Sequence, residues 1–335
     1  MTKLNQSEWH LDNRGTLIEW RYFNITDKKM FGFFSYFISK FPNKAGQVYV
    51  VSRIYKDQKI YGDFKRFKLE DSHIQGQDIV ISKNGKIKFD KKNNVRIKGK
   101  VSNVSWDLNY KNEIPEEFPM DKFIFGPFGL KNIAWKIFMP YAKVTGSIKI
   151  DDNVYDINTG GYMDGNWGRW LVYEIKWDWI NFARYKSKNK NFIVTVGNIH
   201  KRKSGVINVV HNGETIHFAK EKKEYTIKRK KWNKKMIPSV PIETSIVGKK
   251  GDYILNIHTT SEFVDKIEEK TPLKIVNIYL FEEKVFCTAE LYKKIDGELK
   301  LVNSYKGEGF AEYSSVYSPK LHHLRNKIKH HLFRR

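Results

Sequence analysis

The sequence predicts an all-β protein whose strands follow one another as an up-and-down meander. Apolar and polar residues alternate along most of the chain, as in residues 104–110 (VSWDLNY), and on the order of twenty such segments occur. Turn signals separate them, and Asn84-Gly85 and Asn212-Gly213 are typical of hairpin turns. Closure of the meander into barrels would remove its exposed strand edges, so we expect antiparallel β-barrels.

Near the N-terminus, strands are predicted over residues 19–24 (EWRYFN) and 30–38 (MFGFFSYFI). The second strand is apolar on both faces and must be covered on both sides. The first mixes polar and aromatic side chains on each face, which is typical of a polar-lined pocket wall or of a hydrogen-bonded barrel closure. Its residues divide between one face with Glu19, Arg21 and Phe23 and another with Trp20, Tyr22 and Asn24.

Two segments interrupt the strand pattern. Residues 112–141 contain four prolines and predict a long irregular connection, often a functional loop or lid, with a short helix near residues 131–138. The tail, residues 317–335, carries leucine and isoleucine at helical spacing among basic side chains, and we expect a short basic amphipathic helix there. This helix would pack on the barrel, and peripheral contact with an anionic membrane is the alternative.

The net charge of +24 raises the question of an anionic partner. The lysines alternate with apolar residues, as in residues 86–89 (KIKF), which places them on the solvated face of strands, and we do not expect nucleic acid as a partner. The sequence has no run of about 18 apolar residues, and its N-terminus lacks the apolar core of a signal peptide. We therefore expect a cytoplasmic protein, with the tail as its contact with the inner face of the membrane if it has one. The single cysteine, Cys287, is expected to be buried and unreactive.

Residues 160–168 (GGYMDGNWG) concentrate glycine, aromatic, carboxylate and amide groups between two strand-like runs. Such density indicates a demanding backbone geometry, a site, or both. Residues 171–182 follow as a strand on which Trp177 and Trp179 share one face, either as a core stripe or as a ligand wall. No metal-ligand spacing, glycine-rich phosphate loop or Gly-x-Ser-x-Gly elbow occurs, so we expect neither a metal nor a cofactor.

Four segments occur in a characteristic order: EWRYFN at 19–24, GYMDGNWG at 161–168, WDW at 177–179 and GEGFAEY at 307–313. This order resembles the carotenoid 1,2-hydratase (hydroxyneurosporene synthase) superfamily, which includes AttH-like proteins, tocopherol cyclases and fungal Diels–Alderases of similar fold. The resemblance implies two tandem lipocalin-like barrels, residues 1–168 and 169–316, followed by the tail. It also implies a long apolar ligand, isoprenoid- or polyene-like, held near the junction of the barrels. Only the central segment is reasonably specific.

The chain departs from the family pattern at two positions. Family members commonly have Glu-Trp-Trp-Tyr, where this chain has Arg21 in place of the second tryptophan. Their usual Asp-His pair reads Asp164-Gly165 here. In the hydratases that pair is associated with acid catalysis, and this chain keeps only the aspartate.

Asp164 is the candidate catalytic residue. Hydration or cyclisation of an unactivated alkene needs a strong acid, and a carboxyl buried among aromatic groups has a raised pKa that suits it to this role. Aromatic faces would stabilise the resulting carbocation. The alternative is structural, because Asp-Gly is a favoured hairpin pair and Asn166 can cap a turn. The candidate ligand-binding residues are Glu19, Trp20, Tyr22, Asn24, Tyr162, Asn166, Trp167, Trp177 and Trp179.

These inferences give one leading hypothesis and two alternatives. The chain binds a large apolar molecule between two lipocalin-like barrels and catalyses its acid-assisted hydration, cyclisation or isomerisation, as a lyase or isomerase. The first alternative is a non-catalytic carrier of an apolar ligand, which Gly165 favours. The second is an interaction protein at an anionic surface, which the net charge and the basic tail favour.

Overall fold

The computed structural model describes residues 9–10, 17–27, 30–40, 45–81, 84–90, 94–114, 121–125, 131–169, 176–187, 190–200, 204–270 and 277–317. The chain divides into two compact units, Met1–Leu171 and Val172–Arg335, and each contains one curled antiparallel sheet. The predicted all-β class is confirmed, since these described residues form strands and no α-helix. Within the same residues, no helix is long and apolar enough to cross a membrane.

The first unit forms a sheet of thirteen strands. They are β1 (Leu17–Thr26), β2 (Phe31–Lys40), β3 (Gln47–Lys56), β4 (Lys59–Tyr61), β5 (Phe64–Lys68), β6 (Ser72–Gln75), β7 (Asp78–Ile81), β8 (Gly85–Phe89), β9 (Val95–Val101), β10 (Val104–Asn112), β11 (Asp121–Phe125), β12 (Lys131–Ile150) and β13 (Asn153–Arg169), with a 3-10 turn at Leu69–Asp71. Their order is β4-β3-β2-β1-β13-β12-β10-β9-β8-β7-β6, with β5 beside β3 and β11 beside β12. Strands β1 and β13 are neighbours, which places residues 18–26 directly opposite residues 160–168.

The second unit forms a sheet of nine strands. They are β14 (Trp177–Ser187), β15 (Lys190–Ile199), β16 (Gly205–His211), β17 (Glu214–Ala219), β18 (Tyr225–Asn233), β19 (Val240–Lys250), β20 (Tyr253–Lys270), β21 (Asn277–Ile295) and β22 (Glu298–Tyr317). Their order is β17-β16-β15-β14-β22-β21-β20-β19-β18. The predicted turn at Asn212-Gly213 joins β16 to β17, and both residues have the positive φ that a type I′ hairpin turn requires.

The first sheet curls around one apolar core. Tyr36 on β2 donates its hydroxyl proton to the Lys98 carbonyl at 3.1 Å and accepts a hydrogen bond from Trp106 Nε1 at 3.1 Å. Three strands separate β2 from β10 in the sheet, so this contact crosses the interior. Buried groups from both ends of the sheet, such as Val48 and Ile87, belong to the same core cluster. The curl therefore gives each long strand one face toward this core and one face away from it.

The structure corrects two local predictions. Residues 121–125 form β11 and residues 131–141 belong to β12, so the predicted irregular connection was wrong over these residues. Residues 131–138 begin strand β12, so the predicted helix was wrong as well. Ile133, Ala134 and Trp135 are all buried, and when both faces are apolar the periodicity does not distinguish a strand from a helix. The predicted basic helix of the tail, residues 317–335, lies outside the described residues except for Tyr317, which ends β22. The predicted domain limits also stay predictions.

Candidate functional site

Asp164 lies in the middle of β13 with its side chain buried. Its Oδ2 accepts hydrogen bonds from Trp135 Nε1 at 2.8 Å and from the Tyr162 hydroxyl at 2.9 Å. Because an indole N–H can only donate, Oδ2 is fixed as an acceptor, and a proton carried by this carboxyl would sit on Oδ1. The alternative of a hairpin turn at Asp164-Gly165 was wrong, since both residues lie within continuous strand between β1 and β12.

The sheet face that carries Asp164 is both aromatic and polar. Successive residues of a strand point to opposite faces, whereas directly paired residues of neighbouring strands share a face. Asp164 pairs with Tyr22, and Tyr162 pairs with Asn24. The structure therefore brings several predicted ligand-binding residues onto one surface with Asp164, here called the Asp164 face: Trp20, Tyr22, Asn24, Tyr162 and Asn166.

Asn24 is the most informative polar group of the Asp164 face. Its side chain is 1% exposed, yet within the described part of the chain neither Oδ1 nor Nδ2 makes a hydrogen bond. Buried amides in folded proteins are nearly always hydrogen-bonded, because leaving one unsatisfied costs about 1–3 kcal/mol. On this face the pair of Asn24 and Tyr162 is the neighbour of the pair of Tyr22 and Asp164. The unsatisfied amide of Asn24 therefore lies near the Asp164 carboxyl and is suited to bind a polar atom of a ligand.

Glu19 and Trp167 point to the opposite face, where they join a buried ionic cluster around Arg21. Arg21 Nη1 lies 2.9 Å from Glu19 Oε1, and both side chains are fully buried. His10 donates its backbone N–H to Glu19 at 2.7 Å, and its ring stacks on Trp167 with the centroids 4.5 Å apart. Burial lowers the pKa of Arg21, and the charge of Glu19 counteracts part of this decrease. The Arg21 guanidinium nevertheless stays charged, since arginine is not deprotonated in proteins. Glu19 and Trp167 therefore hold Arg21 and His10 on the side away from Asp164.

The two residues that depart from the pattern of the resembled superfamily lie side by side on neighbouring strands. Arg21 on β1 and Gly165 on β13 are directly paired. A Cβ at residue 165 would lie 2.9 Å from Arg21 Nη1 and 2.7 Å from Phe138 Cε2, closer than side-chain carbons approach other groups. Arg21 thus fills the space that a histidine at position 165 would need, and glycine is the residue that admits it.

The predicted tryptophans of the second unit lie together on β14. Trp177 Nε1 donates a hydrogen bond to Glu312 Oε1. Trp179 is directly paired with Glu312 and packs edge-on against Phe310, with ring centroids 5.6 Å apart. The two indoles therefore flank a carboxyl group on one face of the second sheet.

Sequence reasoning missed the partner of that carboxyl. Glu282 on β21 is buried, pairs with Glu312 on β22 and shares a hydrogen bond with it. Burial raises the pKa of Glu282 well above its usual range, and the charge of Glu312 raises this pKa further. The signal in the sequence is Glu282-Glu283 in the middle of an aromatic and apolar strand. Among the described residues, no group of three or more His, Cys, Asp or Glu side chains is placed to hold a metal ion.

Comparison with known proteins finds similarity to solved structures. No family model and no curated protein matches the chain. A Nitrosomonas europaea protein assigned to AttH is similar in structure, with a TM-score of 0.65, 13% identity and coverage of 93% of this chain and 96% of that chain. The structure of CghA with Sch210972 is also similar, with a TM-score of 0.60, 10% identity and coverage of 90% and 88%.

At these identities the likeness establishes the fold. The chain shares the fold of these structures along nearly its whole length and forms two curled antiparallel sheets. The predicted resemblance is confirmed for this arrangement of strands. One fold supports many activities, so the function depends on the chemistry of the site.

Proposed function

We propose that this chain binds a large, mostly apolar, isoprenoid- or polyene-like molecule against the Asp164 face. In this proposal Asp164 transfers the proton in an acid-assisted hydration, cyclisation or isomerisation of that molecule. The observation that carries the proposal is a buried carboxyl on an aromatic surface, oriented by Trp135 and Tyr162. The fold supports it, since CghA, which has a similar architecture, has been solved with the compound Sch210972.

The chemistry follows from the two oxygens of Asp164. The proton leaves Oδ1 for an alkene carbon, and the carboxylate that forms is stabilised by the two donors on Oδ2. The carbocation lies against aromatic groups such as Tyr22, whose π-faces attract positive charge. Attack by a second double bond closes a ring and moves the positive charge to another carbon. The cation is finally removed by addition of water, which then loses a proton, or by loss of a neighbouring proton. In either case that proton returns to Asp164, so the acid is regenerated.

Asn24 adds a polar contact to this apolar surface. Its buried amide can donate to a carbonyl and accept from a hydroxyl, so we propose that the ligand carries one such group. A site that binds a ligand hydroxyl discriminates strongly against the analogue without it, because the buried amide is then left unsatisfied.

Asp164→Asn tests the proton-transfer role. Purified protein is incubated with an apolar extract of the source organism, and retained and released molecules are identified by mass spectrometry. The matched control is Asp156→Asn, an exposed aspartate on the same strand. We expect both variants to retain the ligand and only Asp164→Asn to yield no product, since asparagine still offers an oxygen to Trp135. Product formation by Asp164→Asn at the wild-type rate would refute the role of Asp164.

A non-catalytic carrier is the second candidate, because the buried, unsatisfied amide of Asn24 favours ligand binding whether or not Asp164 transfers a proton. It predicts retention of the ligand by the wild type without any change of mass at any pH. Binding itself is measured by displacement of the uncharged fluorophore N-phenyl-1-naphthylamine. We expect Asn24→Leu to weaken displacement by an isoprenoid alcohol more than displacement by the hydrocarbon of equal length. Equal effects on both would show that Asn24 does not contact the hydroxyl group.

A further inference from the structure

We propose that the second unit contains a separate site, a small cavity that binds an anionic group, the carboxylate or phosphate of a small molecule. The cavity is open to solvent on one side and has a volume of about 320 Å³. Its walls come from β15, β18, β22 and the segments next to β14 and β17, and its lining residues are Lys176, Asn198, His200, Lys220, Ile227, Arg229 and Tyr313. Neither the fold likeness nor the chemistry of Asp164 requires such a site.

A single buried carboxylate, Asp178, organises the cavity wall. Arg229 donates Nε to Asp178 Oδ1 at 3.0 Å and Nη2 to Oδ2. Asn198 Nδ2 donates to Oδ2 at 2.7 Å, and His200 Nε2 lies 2.9 Å from the same oxygen. Burial alone would raise the pKa of Asp178, but the hydrogen bonds and charges of His200 and Arg229 outweigh it and lower the pKa overall. Asp178 is therefore a fixed anion that holds three lining side chains in place before any ligand arrives.

Asp178 also positions the ammonium group of Lys220. Since Asn198 directs its Nδ2 at Asp178, its Oδ1 is left to accept from Lys220 Nζ, and it does so. Burial lowers the pKa of Lys220, and the charge of Asp178 counteracts part of this. A bound anion would favour the charged form of this partly buried amine, so protonation of Lys220 and anion binding support each other.

The cavity carries more positive than negative charge. Lys220 and Arg229 lie near one carboxylate, Asp178, which leaves one positive charge in excess, and Lys176 also lines the cavity. Another buried carboxyl of the same unit, Glu283, does not cancel this excess, because burial raises its pKa to about 8 and it is mostly uncharged at pH 7. A concave surface with uncompensated charge of one sign attracts the opposite charge.

The geometry also limits the size and shape of the ligand. A cavity of about 320 Å³ is at the lower end for small-molecule sites, so it fits an anionic group on a small body. Ile227 and Tyr313 give it an apolar side, and burial raises the pKa of Tyr313 to about 12, which keeps its hydroxyl neutral. Asp178 uses two of the five N–H donors of Arg229, and an arginine fork suits both carboxylate and phosphate.

The test is a titration of the whole protein with inorganic phosphate and, separately, with benzoate. Both are carried out at pH 7 and constant ionic strength by isothermal titration calorimetry. Lys220→Met and Lys176→Met each remove one cation from the cavity. Lys228→Met is the matched control, since it removes the same charge from an exposed position on β18, next to Arg229. Whichever anion binds more tightly identifies the chemistry of the natural ligand.

We expect saturable binding of one anion by the wild type, affinity at least about tenfold weaker in Lys220→Met and Lys176→Met, and no change in Lys228→Met. Absence of saturable binding by the folded wild type would overturn the proposal. Equal losses in Lys228→Met and Lys220→Met would overturn it as well, because they would indicate non-specific attraction. Circular dichroism checks the fold of each variant. If Lys220→Met does not fold, Lys176→Met provides the test.

Discussion

The substitution Gly165→Ala is expected to destabilise the first unit although alanine adds only one methyl group. Its Cβ would lie 2.7 Å from Phe138 Cε2 and 2.9 Å from Arg21 Nη1. Arg21 has little room to withdraw, because it is fully buried and bound to Glu19 at 2.9 Å. Overpacking of this kind costs about 1–3 kcal/mol. Replacing a glycine gains about 0.4–1 kcal/mol by restricting the unfolded chain, so the expected net loss is about 0.5–2 kcal/mol.

The assay is unfolding in urea followed by tryptophan fluorescence, with the midpoint and the slope of the transition compared between variants. Gly307→Ala serves as the control. There the nearest atom to a new Cβ is the hydroxyl oxygen of Tyr305 at 3.1 Å, the tip of a side chain that is only partly buried. We expect the control to change the free energy of unfolding by no more than about 0.5 kcal/mol.

A double-mutant cycle attributes the loss to Arg21. Arg21→Ala alone is expected to cost about 3–5 kcal/mol, because it leaves the buried Glu19 without its cation. In that background the 2.9 Å contact is gone, so Gly165→Ala should cost at least about 0.5 kcal/mol less than in the wild type. An equal cost in both backgrounds, or a stabilised Gly165→Ala, would refute the reasoning that Arg21 occupies the space beside residue 165.

Two further predictions concern buried titratable groups of the second unit. Burial raises the pKa of Glu283 from 4.5 to about 8, so the folded state keeps a proton that the unfolded chain has lost, and stability should fall as the pH rises between these values. Glu283→Gln still accepts from Ser261 and should flatten that part of the urea-midpoint profile, and an unchanged slope would contradict the assignment. Cys287 is buried and its thiol pKa is raised by burial, so it should react with an aromatic disulfide reagent only after unfolding. Reaction of the native protein at the rate of an exposed thiol would contradict this.

The faces of β1 could be predicted from the sequence because alternation is a local property. Trp20, Tyr22 and Asn24 share one face and Glu19 and Arg21 the other, as the period of two requires. The pairing of β1 with β13 could not be predicted in this way. It joins residues far apart in the chain and depends on how the whole sheet curls, so nothing near Arg21 in the sequence indicates that it lies opposite residue 165.

The charged groups of the second unit illustrate the same limit. Glu282 and Glu312 are adjacent only because β21 pairs with β22 in one particular register. The proposed anion cavity is lined by residues from several separate segments of the chain. A lysine such as Lys220 does not stand out in the sequence, because the chain has a net charge of +24. Sequence patterns identify which side chains point away from the apolar core, whereas the tertiary fold determines which of these side chains are in contact.

The pairing of β13 with β1 shows that the absence of a histidine at position 165 does not affect the surroundings of the Asp164 carboxyl. Residues 164 and 165 point to opposite faces of the sheet, so a histidine at position 165 would project toward Arg21 and not toward the Asp164 face. The groups that orient the Asp164 carboxyl are Trp135 and Tyr162, and both are present. Gly165 therefore leaves room for Arg21, which pairs with the buried Glu19. Acid catalysis by this chain therefore depends on Asp164 and on the ligand bound beside it. A histidine introduced at position 165 would displace Arg21 and would not give Asp164 a new partner.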